Sequence, residues 1–495
     1  MTAQQQWAEQ WLAKPKKQYI DGEWVLGESR DLISINPADG SQLAVYPFAS
    51  VGQTEQTIRC ANKAFEDSAW ASASRGYRAE ILHKTADLIR ENLEKLATLE
   101  TLANGKLYQE SLVDDIPTCA DIFDYYAGWV DKYYGVTSPV EQGFLNYTLK
   151  EPVGVCGLIA PWNFPLYQAA LKIAPALAMG NTVINKPSQA TPYSALYLVE
   201  LMAEHLDLPK GVLNLLVTDG KTANTLTTSH HVHKISFTGS TDIGRMLVHN
   251  SAESNLKAVT LELGGKSPCI FFDDTPDLQG AIDRAFTVMF SHKGEKCSEP
   301  TRFLIHEKIY DKVLSELISK AEAVKCGNPF AEDSSQGAQC NQSHFENIMK
   351  YIDIGRSEAE CVAGGEADTT GANKDGYYIR PTIFSNVHSN CRIAKEEIFG
   401  PVLCCTPFSN DEEAAQLAND TVYGLAAGIY TKDISRAHRM AEKIDAGMVF
   451  INRYGCYGLS SPFGGFKESG WGKEMAIHSL SSYTKEKSVW VAFGD

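Results

Sequence analysis

Three side chains in this sequence are of types that can carry out covalent chemistry together: Cys297, Glu262 and Asn163. A thiolate is a soft nucleophile that can also act as a leaving group. A carboxylate can accept a thiol proton and activate water, and an amide N–H can donate to an oxyanion. Each also has an ordinary alternative: a buried apolar cysteine, an ion-paired glutamate or a turn-forming asparagine. The surrounding sequence has to decide between them.

A fourth feature is the turn FTGSTD at residues 237–242, between a predicted strand and a predicted helix. Small residues at a helix N-terminus let the backbone and the Ser240 hydroxyl approach a pyrophosphate group. The sequence has no Gly-x-Gly-x-x-Gly after a strand. By itself, this turn is also typical of an ordinary strand-to-helix connection.

The elements that would position these residues alternate between strand and helix from residue 153 onward. Apolar runs predict strands, and 3.6-residue periodicity predicts helices between them. In the first region we predict strands at 153–159, 182–185, 212–216 and 234–237, with helices at 167–179, 192–205, 221–229 and from 242. A second region begins near 265, with strands at 269–272, 303–305, 402–406 and 447–451 and helices at 277–291 and 308–323. This order predicts a doubly wound α/β fold.

Two further segments stand outside this alternation. Residues 52–106 have helical periodicity, whereas residues 135–152 are interrupted by glycine and proline and end in an alternating run, which predicts a protruding two-stranded ribbon. Residues 487–493 alternate like a strand at the chain end, so they need a partner sheet, in this chain or in another subunit.

Composition excludes several classes of protein. The chain has 495 residues, 44% hydrophobic and 21% charged, with a net charge of −16. This acidic balance disfavours nucleic acids and anionic membranes as partners, and no apolar run is long enough to span a bilayer. The 12 cysteines show no Cys-x-x-Cys pair and no zinc spacing, so we expect neither a disulfide framework nor a metal site. The polar N-terminus predicts a cytoplasmic protein.

Six segments, taken together and in order, resemble the aldehyde dehydrogenase superfamily. They are APWNFP (160–165), NKPS (185–188), FTGST (237–241), LELGGKSP (261–268), EEIFGPV (396–402) and SPFGGFK (461–467). Any one of them alone would be weak support. The resemblance implies a Rossmann-like cofactor domain (1–136 and 153–263), an α/β catalytic domain (264–478) and a small β oligomerisation arm (137–152 and 479–495) in a homodimer or homotetramer.

The resemblance also implies catalytic roles. Cys297 would attack an aldehyde, Asn163 and the Cys297 N–H would stabilise the oxyanion, and Glu262 would activate the water that hydrolyses the thioester. The product would be a carboxylic acid, and the reaction would be NAD(P)-dependent and non-acylating. Two alternatives stay open: a relative that transfers the acyl group to coenzyme A, and a catalytically silent, crystallin-like protein.

The cofactor residues are likewise carried over from the family. Gly239 and Ser240 would face the phosphates, Lys186 and Gln189 the adenosine ribose, and Glu397 and Phe399 the nicotinamide ribose. Trp162 belongs to the same set. Relatives commonly have Glu where Gln189 stands, and a neutral side chain does not repel a 2′-phosphate. We therefore expect NAD first and leave NADP open.

The predicted substrate pocket contains Phe164, Lys296, Arg453, Tyr457 and Phe463. Two cations near a tunnel mouth would attract an aldehyde with a remote carboxylate. One alternative is that these cations point to solvent or pair with Glu295 or Glu299, which are close in sequence. Another is that Tyr454 and Tyr457 hold an aromatic aldehyde by stacking. Finally, Lys485 falls where many relatives carry a glutamate that relays protons, so Glu262 would need another water path.

Overall fold

The computed structural model describes residues 2–494. Its first sheet has eight strands and is parallel at its centre, which lies around Val155–Ile159. In spatial order the strands are Glu23–Val25, Gln18–Ile20, Leu213–Leu215, Thr182–Lys186, Val155–Ile159, Lys234–Thr238, Ala258–Glu262 and Gly470–Trp471. The central strands are buried along their whole length because helices cover both faces of the sheet.

The second sheet has seven strands and is parallel except at the edge strand Glu360–Ala363. In order they are Glu360–Ala363, Thr382–Ser385, Val402–Phe408, Arg302–His306, Pro268–Phe271, Ala426–Tyr430 and Met448–Ile451. The chain therefore passes from the first sheet to the second directly after Glu262.

Helices supply the outer layers and the caps of both sheets. They span Ala3–Leu12, Val51–Glu66, Arg75–Glu91, Leu93–Asn104, Tyr108–Glu110, Ile116–Ala127, Pro165–Ala178, Tyr193–His205, Gly220–Thr228, Thr241–Ala252, Leu278–Phe290, Tyr310–Ala323, Gln342–Glu358, Arg392–Lys395, Asp411–Asn419, Ile434–Lys443 and Ala476–Ser481. Single turns of π- or 3₁₀-helix lie at Ser111–Asp115, Ser291–Gly294, Glu307–Ile309 and Gly371–Asp375.

A third, three-stranded antiparallel sheet contains the predicted ribbon. Phe144–Pro152 lies between Thr137–Ser138 and Thr484–Ala492. The C-terminal strand thus finds its partner in its own chain. Two short antiparallel pairs complete the strands: Asp31–Ile35 with Gln42–Pro47, and Tyr423–Gly424 with Phe466–Lys467.

The structure differs from the sequence-based expectation in two places. The helical region 52–106 is broken into three helices, because Ser74 caps the second and Gly105, with φ +83°, ends the third. In addition, Gly470–Trp471 joins the first sheet by pairing with Leu261 and Glu262, although it lies late in the chain. A segment of fewer than three strand residues carries too little pattern to be recognised in sequence.

The predicted α/β class is confirmed by these two parallel-centred sheets with helices around them. Over the residues that the structure describes, no helix has the length and apolar character needed to cross a membrane.

Gly470→Ala tests the pairing that places Glu262. Gly470 has φ +113°, and an added Cβ would lie 2.0 Å from the Leu261 carbonyl oxygen. We expect a loss of about 2 kcal/mol or more in the free energy of unfolding, measured as a lower urea midpoint. Gly76→Ala is the control, because open space surrounds that helical position and its midpoint should not fall. Equal midpoints for the two variants would contradict the prediction.

Candidate active site

A cavity of about 990 Å³ lies where the loops of the two main sheets meet. Eleven of the residues predicted from sequence line it: Trp162, Asn163, Phe164, Gly239, Ser240, Lys296, Cys297, Glu397, Phe399, Tyr457 and Phe463. Glu262 does not line this cavity, but its neighbours Leu263 and Gly264 do. Lys186, Gln189 and Arg453 lie elsewhere.

Cys297 follows the helix Leu278–Phe290 and the single turn Ser291–Gly294. Its loop packs closely on the end of the first sheet, since a Cβ on Gly265 would lie 2.3 Å from the Cys297 carbonyl oxygen. Burial raises the pKa of the Cys297 thiol, and the carboxylates of Glu262 and Glu397 raise it further. The resting sulfur is therefore a thiol that needs a base.

Glu262 ends the strand Ala258–Glu262 and is buried. Within residues 2–494 its Oε2 atom has no hydrogen-bond partner, and a Cβ on Gly464 would lie 2.6 Å from its Oε1 atom. Burial raises the pKa of Glu262 well above its ordinary value, and the neighbouring carboxylate of Glu474 adds to the increase. A carboxylate with a raised pKa is a stronger base once it has lost its proton.

Sequence reasoning missed the groups behind Glu262. The buried Lys172 ammonium pairs with Glu474 and donates to the Thr238 hydroxyl at 2.7 Å. Lys172 and Glu474 are 302 positions apart, so no local pattern could have connected them.

The expectation about Lys485 is wrong. This lysine lies on the strand Thr484–Ala492, opposite Glu151, in the three-stranded sheet. The carboxylate near Glu262 is Glu474, which the antiparallel bridge between Phe463 and Glu474 holds in place. The carboxylate that we expected to be missing near Glu262 is therefore present, as the side chain of Glu474.

Asn163 lies between the strand Val155–Ile159 and the helix Pro165–Ala178 and is 7% exposed. Its Nδ2 atom donates a hydrogen bond of 2.8 Å to the Glu295 carbonyl oxygen, two residues before Cys297. An amide nitrogen has two hydrogens, so one holds the nucleophile loop and the other is left for a ligand oxygen in the cavity.

The opposite part of the cavity has the features of a dinucleotide site. Ser240 is the N-cap of the twelve-residue helix Thr241–Ala252, yet its side chain makes no capping hydrogen bond, which leaves the hydroxyl for an anion. The Glu397 carboxylate accepts from the Gly265 N–H at 2.9 Å, and burial raises its pKa to about 7. The Trp162 and Phe399 rings lie 5.4 Å apart, edge to face.

His344 is a second residue that sequence reasoning missed. It lines the cavity, its ring lies 4.7 Å from that of Trp162, and its Nε2 atom is 2.8 Å from the Phe399 carbonyl oxygen. Burial lowers its pKa to about 4, so the ring is neutral near pH 7. By contrast, Gln189 is exposed and lies outside the cavity lining.

The charge of the predicted pocket is the reverse of the expectation. Lys296 lines the cavity but pairs with the buried Glu299 at 3.3 Å and donates to the Ser291 hydroxyl. Arg453 is exposed and outside the lining, because the side chain of its neighbour Tyr454 is turned inward and donates to the Ser298 carbonyl. The alternative of pairing with a nearby glutamate therefore describes Lys296, and the pair of free cations is a wrong prediction.

Carboxylates form one wall of the cavity instead. Glu110, Asp114, Asp115 and Asp121 all line it. Asp115 is buried and paired with Lys106 at 2.7 Å, and Asp121 pairs with Arg90. The Glu110 carboxylate accepts a hydrogen bond from the backbone N–H of His292. Asp114 is exposed and forms no ion pair within the part of the chain that the structure describes. Asp114, Asp115 and His292 could offer three metal ligands, but the Lys106 ammonium already occupies the Asp115 carboxylate.

Comparison with known proteins supports the resemblance over nearly the whole chain. The sequence model of the Aldehyde dehydrogenase family matches residues 24–489. A putative aldehyde dehydrogenase, DhaS, from Bacillus subtilis is 41% identical over 98% of both chains. A betaine aldehyde dehydrogenase from the same organism is 41% identical over 95% of this chain and 96% of its own length.

A solved structure agrees equally well. The NAD+ complex of an aldehyde dehydrogenase from Bacillus cereus superposes with a TM-score of 0.96 and is 39% identical in sequence. The match covers 100% of this chain and 99% of that chain. Since the family model, the relatives and the fold agree over the same residues, the chain belongs to the aldehyde dehydrogenase family.

Proposed function

We propose that this protein oxidises an aldehyde to a carboxylic acid with NAD, through a thioester on Cys297. The observation that carries the proposal is the meeting of two loops at one cavity: the Asn163 amide is bonded to the loop that carries Cys297, and Glu262 is buried behind it. The NAD+ bound in the Bacillus cereus relative supports the cofactor.

In the first step, the Cys297 thiol passes its proton to Glu262 or through water to solvent, and the sulfur forms a bond to the aldehyde carbon. The free Asn163 N–H and the Cys297 backbone N–H donate to the oxygen, which becomes an anion. NAD, when bound, supplies the acceptor for the hydride that leaves this carbon. Gly239, Ser240, Glu397, Phe399 and Trp162 would hold it, with Lys186 and Gln189 near the adenosine ribose.

In the second step, water attacks the thioester. Any proton that Glu262 received from Cys297 first passes to solvent. The Glu262 carboxylate then takes a proton from the attacking water, and the sulfur leaves as a thiolate with the electrons of the broken C–S bond. This base favours hydrolysis over transfer to coenzyme A. The presence of Cys297, Glu262 and Asn163 together likewise speaks against a catalytically silent protein. Because Gln189 is neutral, NADP is to be assayed beside NAD.

The domain boundaries and the assembly are part of the proposal. We assign residues 1–136 and 153–263 to cofactor binding, 264–478 to catalysis, and 137–152 and 479–495 to an oligomerisation arm. Exposed apolar side chains support a homodimer or homotetramer, since Ile243 and Met246 on one helix and Trp490 and Phe493 on the arm are solvent-accessible in the single chain. A cytoplasmic location stays a prediction.

The substrate that we propose is an aldehyde with a positively charged end. The wall of Glu110, Asp114, Asp115 and Asp121 lies on the same cavity as Cys297, and Asp114 is free to meet a cation. A relative at 41% identity named betaine aldehyde dehydrogenase supports this class. Stacking of an aromatic aldehyde on Tyr457 and Phe463, whose rings lie 6.0 Å apart, is the second candidate.

Cys297→Ala tests the nucleophile. Turnover should be lost by at least a hundredfold with unchanged NAD affinity, because no other group in the cavity can form the thioester. NADH formation is measured with and without coenzyme A. Cys60→Ala, a half-buried cysteine on the helix Val51–Glu66, is the control and should retain native turnover. Activity of Cys297→Ala above a few per cent, or a requirement for coenzyme A in the native protein, would refute the mechanism.

Glu262→Gln separates the two steps. Its raised pKa means that hydrolysis in the native protein should increase with pH as Glu262 loses its proton, and should be lost as the pH falls through that pKa. The variant should give a burst of NADH followed by turnover slowed at least tenfold, without this limb of the pH profile. Stopped-flow absorbance measures both phases. Unchanged turnover would contradict the role, and loss of the burst would add deprotonation of Cys297 to it.

Asp114→Asn tests the charge of the substrate. The value of kcat/KM for betaine aldehyde should fall roughly fivefold, the equivalent of one partly screened ion pair, and the loss should shrink at high salt. For the uncharged isostere 3,3-dimethylbutanal it should stay within twofold. Asp311→Asn, an exposed aspartate on another helix, is the control. Equal effects on both aldehydes would remove the cationic assignment and favour stacking.

A further inference from the structure

The turn that precedes the nucleophile has an unusual backbone. His292 and Lys293 are both left-handed, with φ of 48° and 63°, and Gly294 follows at 73°. Side chains other than glycine adopt this conformation at a cost of roughly 1–2 kcal/mol each. Such a turn persists only where the surroundings hold it, so its contacts show what determines the position of the loop.

Lys293 provides those contacts from inside the protein. Its side chain is 1% exposed, and its Nζ atom donates to the Asn104 carbonyl at 2.8 Å and to the Asn104 Oδ1 atom at 2.7 Å. The Glu295 carboxylate lies 2.7 Å from the same nitrogen. Two hydrogen bonds to Asn104 and the adjacent Glu295 carboxylate thus compensate the buried ammonium charge.

Asn104 extends this arrangement to the loop that carries the oxyanion donor. It is the last residue of the helix Leu93–Asn104 and is fully buried. Its Nδ2 atom donates to the Trp162 carbonyl at 2.9 Å, directly before Asn163. One asparagine side chain is thus bonded both to the ammonium of the nucleophile loop and to the backbone of the neighbouring loop.

Glu295 completes the connection from the other side. Its Oε1 atom accepts from the Cys340 N–H at 3.1 Å, and its carbonyl accepts from the Asn163 amide at 2.8 Å. The orientation of that carbonyl decides which amide hydrogen of Asn163 stays free. Lys293, through its pair with Glu295, therefore acts on both ends of the oxyanion site.

We propose that Lys293 is a positioning residue that sets Asn163 against Cys297 through Asn104 and Glu295, so that the oxyanion site is formed before the aldehyde binds. This inference rests on the proposed function, because it assigns to Lys293 an effect that passes through Asn163. It predicts that Lys293 matters for the rate of thioester formation and not for cofactor binding.

The test is a double-mutant cycle on the rate of the NADH burst. Lys293→Met should lower that rate at least tenfold when Asn163 is present, and less than threefold in an Asn163→Ala background, with NAD affinity within twofold. A general structural defect would lower it equally in both backgrounds, and that outcome, or no loss at all, would overturn the proposal. Asn163→Ala alone tests the proposed function: an unchanged rate there would refute the role of Asn163 and overturn the proposal for Lys293 with it.

Lys293→Met alone leaves the buried Glu295 carboxylate without its ion-pair partner, and a second pair of variants avoids this effect. Lys293→Met with Glu295→Gln takes away both charges and should still lose at least tenfold, whereas Lys293→Gln with Glu295→Gln keeps a donor for Asn104 and should lose less than threefold. Equal rates for the two neutral pairs would overturn the proposal. Lys257→Met is the matched control: this buried ammonium donates to the Thr227 carbonyl, and its loss should lower the melting temperature while the burst rate stays within twofold in both backgrounds.

Discussion

One hydrogen bond joins the two halves of the active site: the Asn163 amide donates to the Glu295 carbonyl. Asn163 follows a strand of the first sheet, and Glu295 lies between the strands Pro268–Phe271 and Arg302–His306 of the second sheet. Gly265, which follows the strand that carries Glu262, lets the Cys297 loop approach closely because it has no side chain. Lys293 is linked to both sides of this bond, because it pairs with Glu295 and donates to Asn104, which in turn donates to the Trp162 carbonyl.

The same burial that holds the loops together sets the chemistry. Cys297 and Glu262 lie where water is scarce, so each is disfavoured in its charged form and each pKa is raised. Burial thus acts in the same direction on both groups and favours the neutral thiol and the neutral carboxyl. Behind them, the Glu474 carboxylate raises the pKa of Glu262 further, and the Lys172 ammonium that pairs with Glu474 opposes this increase.

Much of this arrangement could be predicted from sequence, but only where the signal was local or the family motif was intact. The βα alternation predicted the sheets, and the motifs placed Asn163, Cys297 and Glu397 on one cavity. Contacts between distant positions, such as Lys172 with Glu474 or Lys293 with Asn104, have no local pattern. The direction of Arg453 was also beyond sequence reasoning, because it depends on the inward turn of Tyr454.

The short strand Gly470–Trp471 has a consequence for how the protein matures during synthesis. It closes the edge of the first sheet beside Glu262, although the rest of that sheet is complete by residue 262. A nascent chain on the ribosome can therefore assemble most of the first sheet early, yet it lacks the segment that pairs with Glu262 until residues 470–471 have emerged. On the proposed mechanism, thioester hydrolysis is thus a property of the finished polypeptide, because a chain that ends before residue 470 would carry Cys297 without an enclosed Glu262 carboxylate.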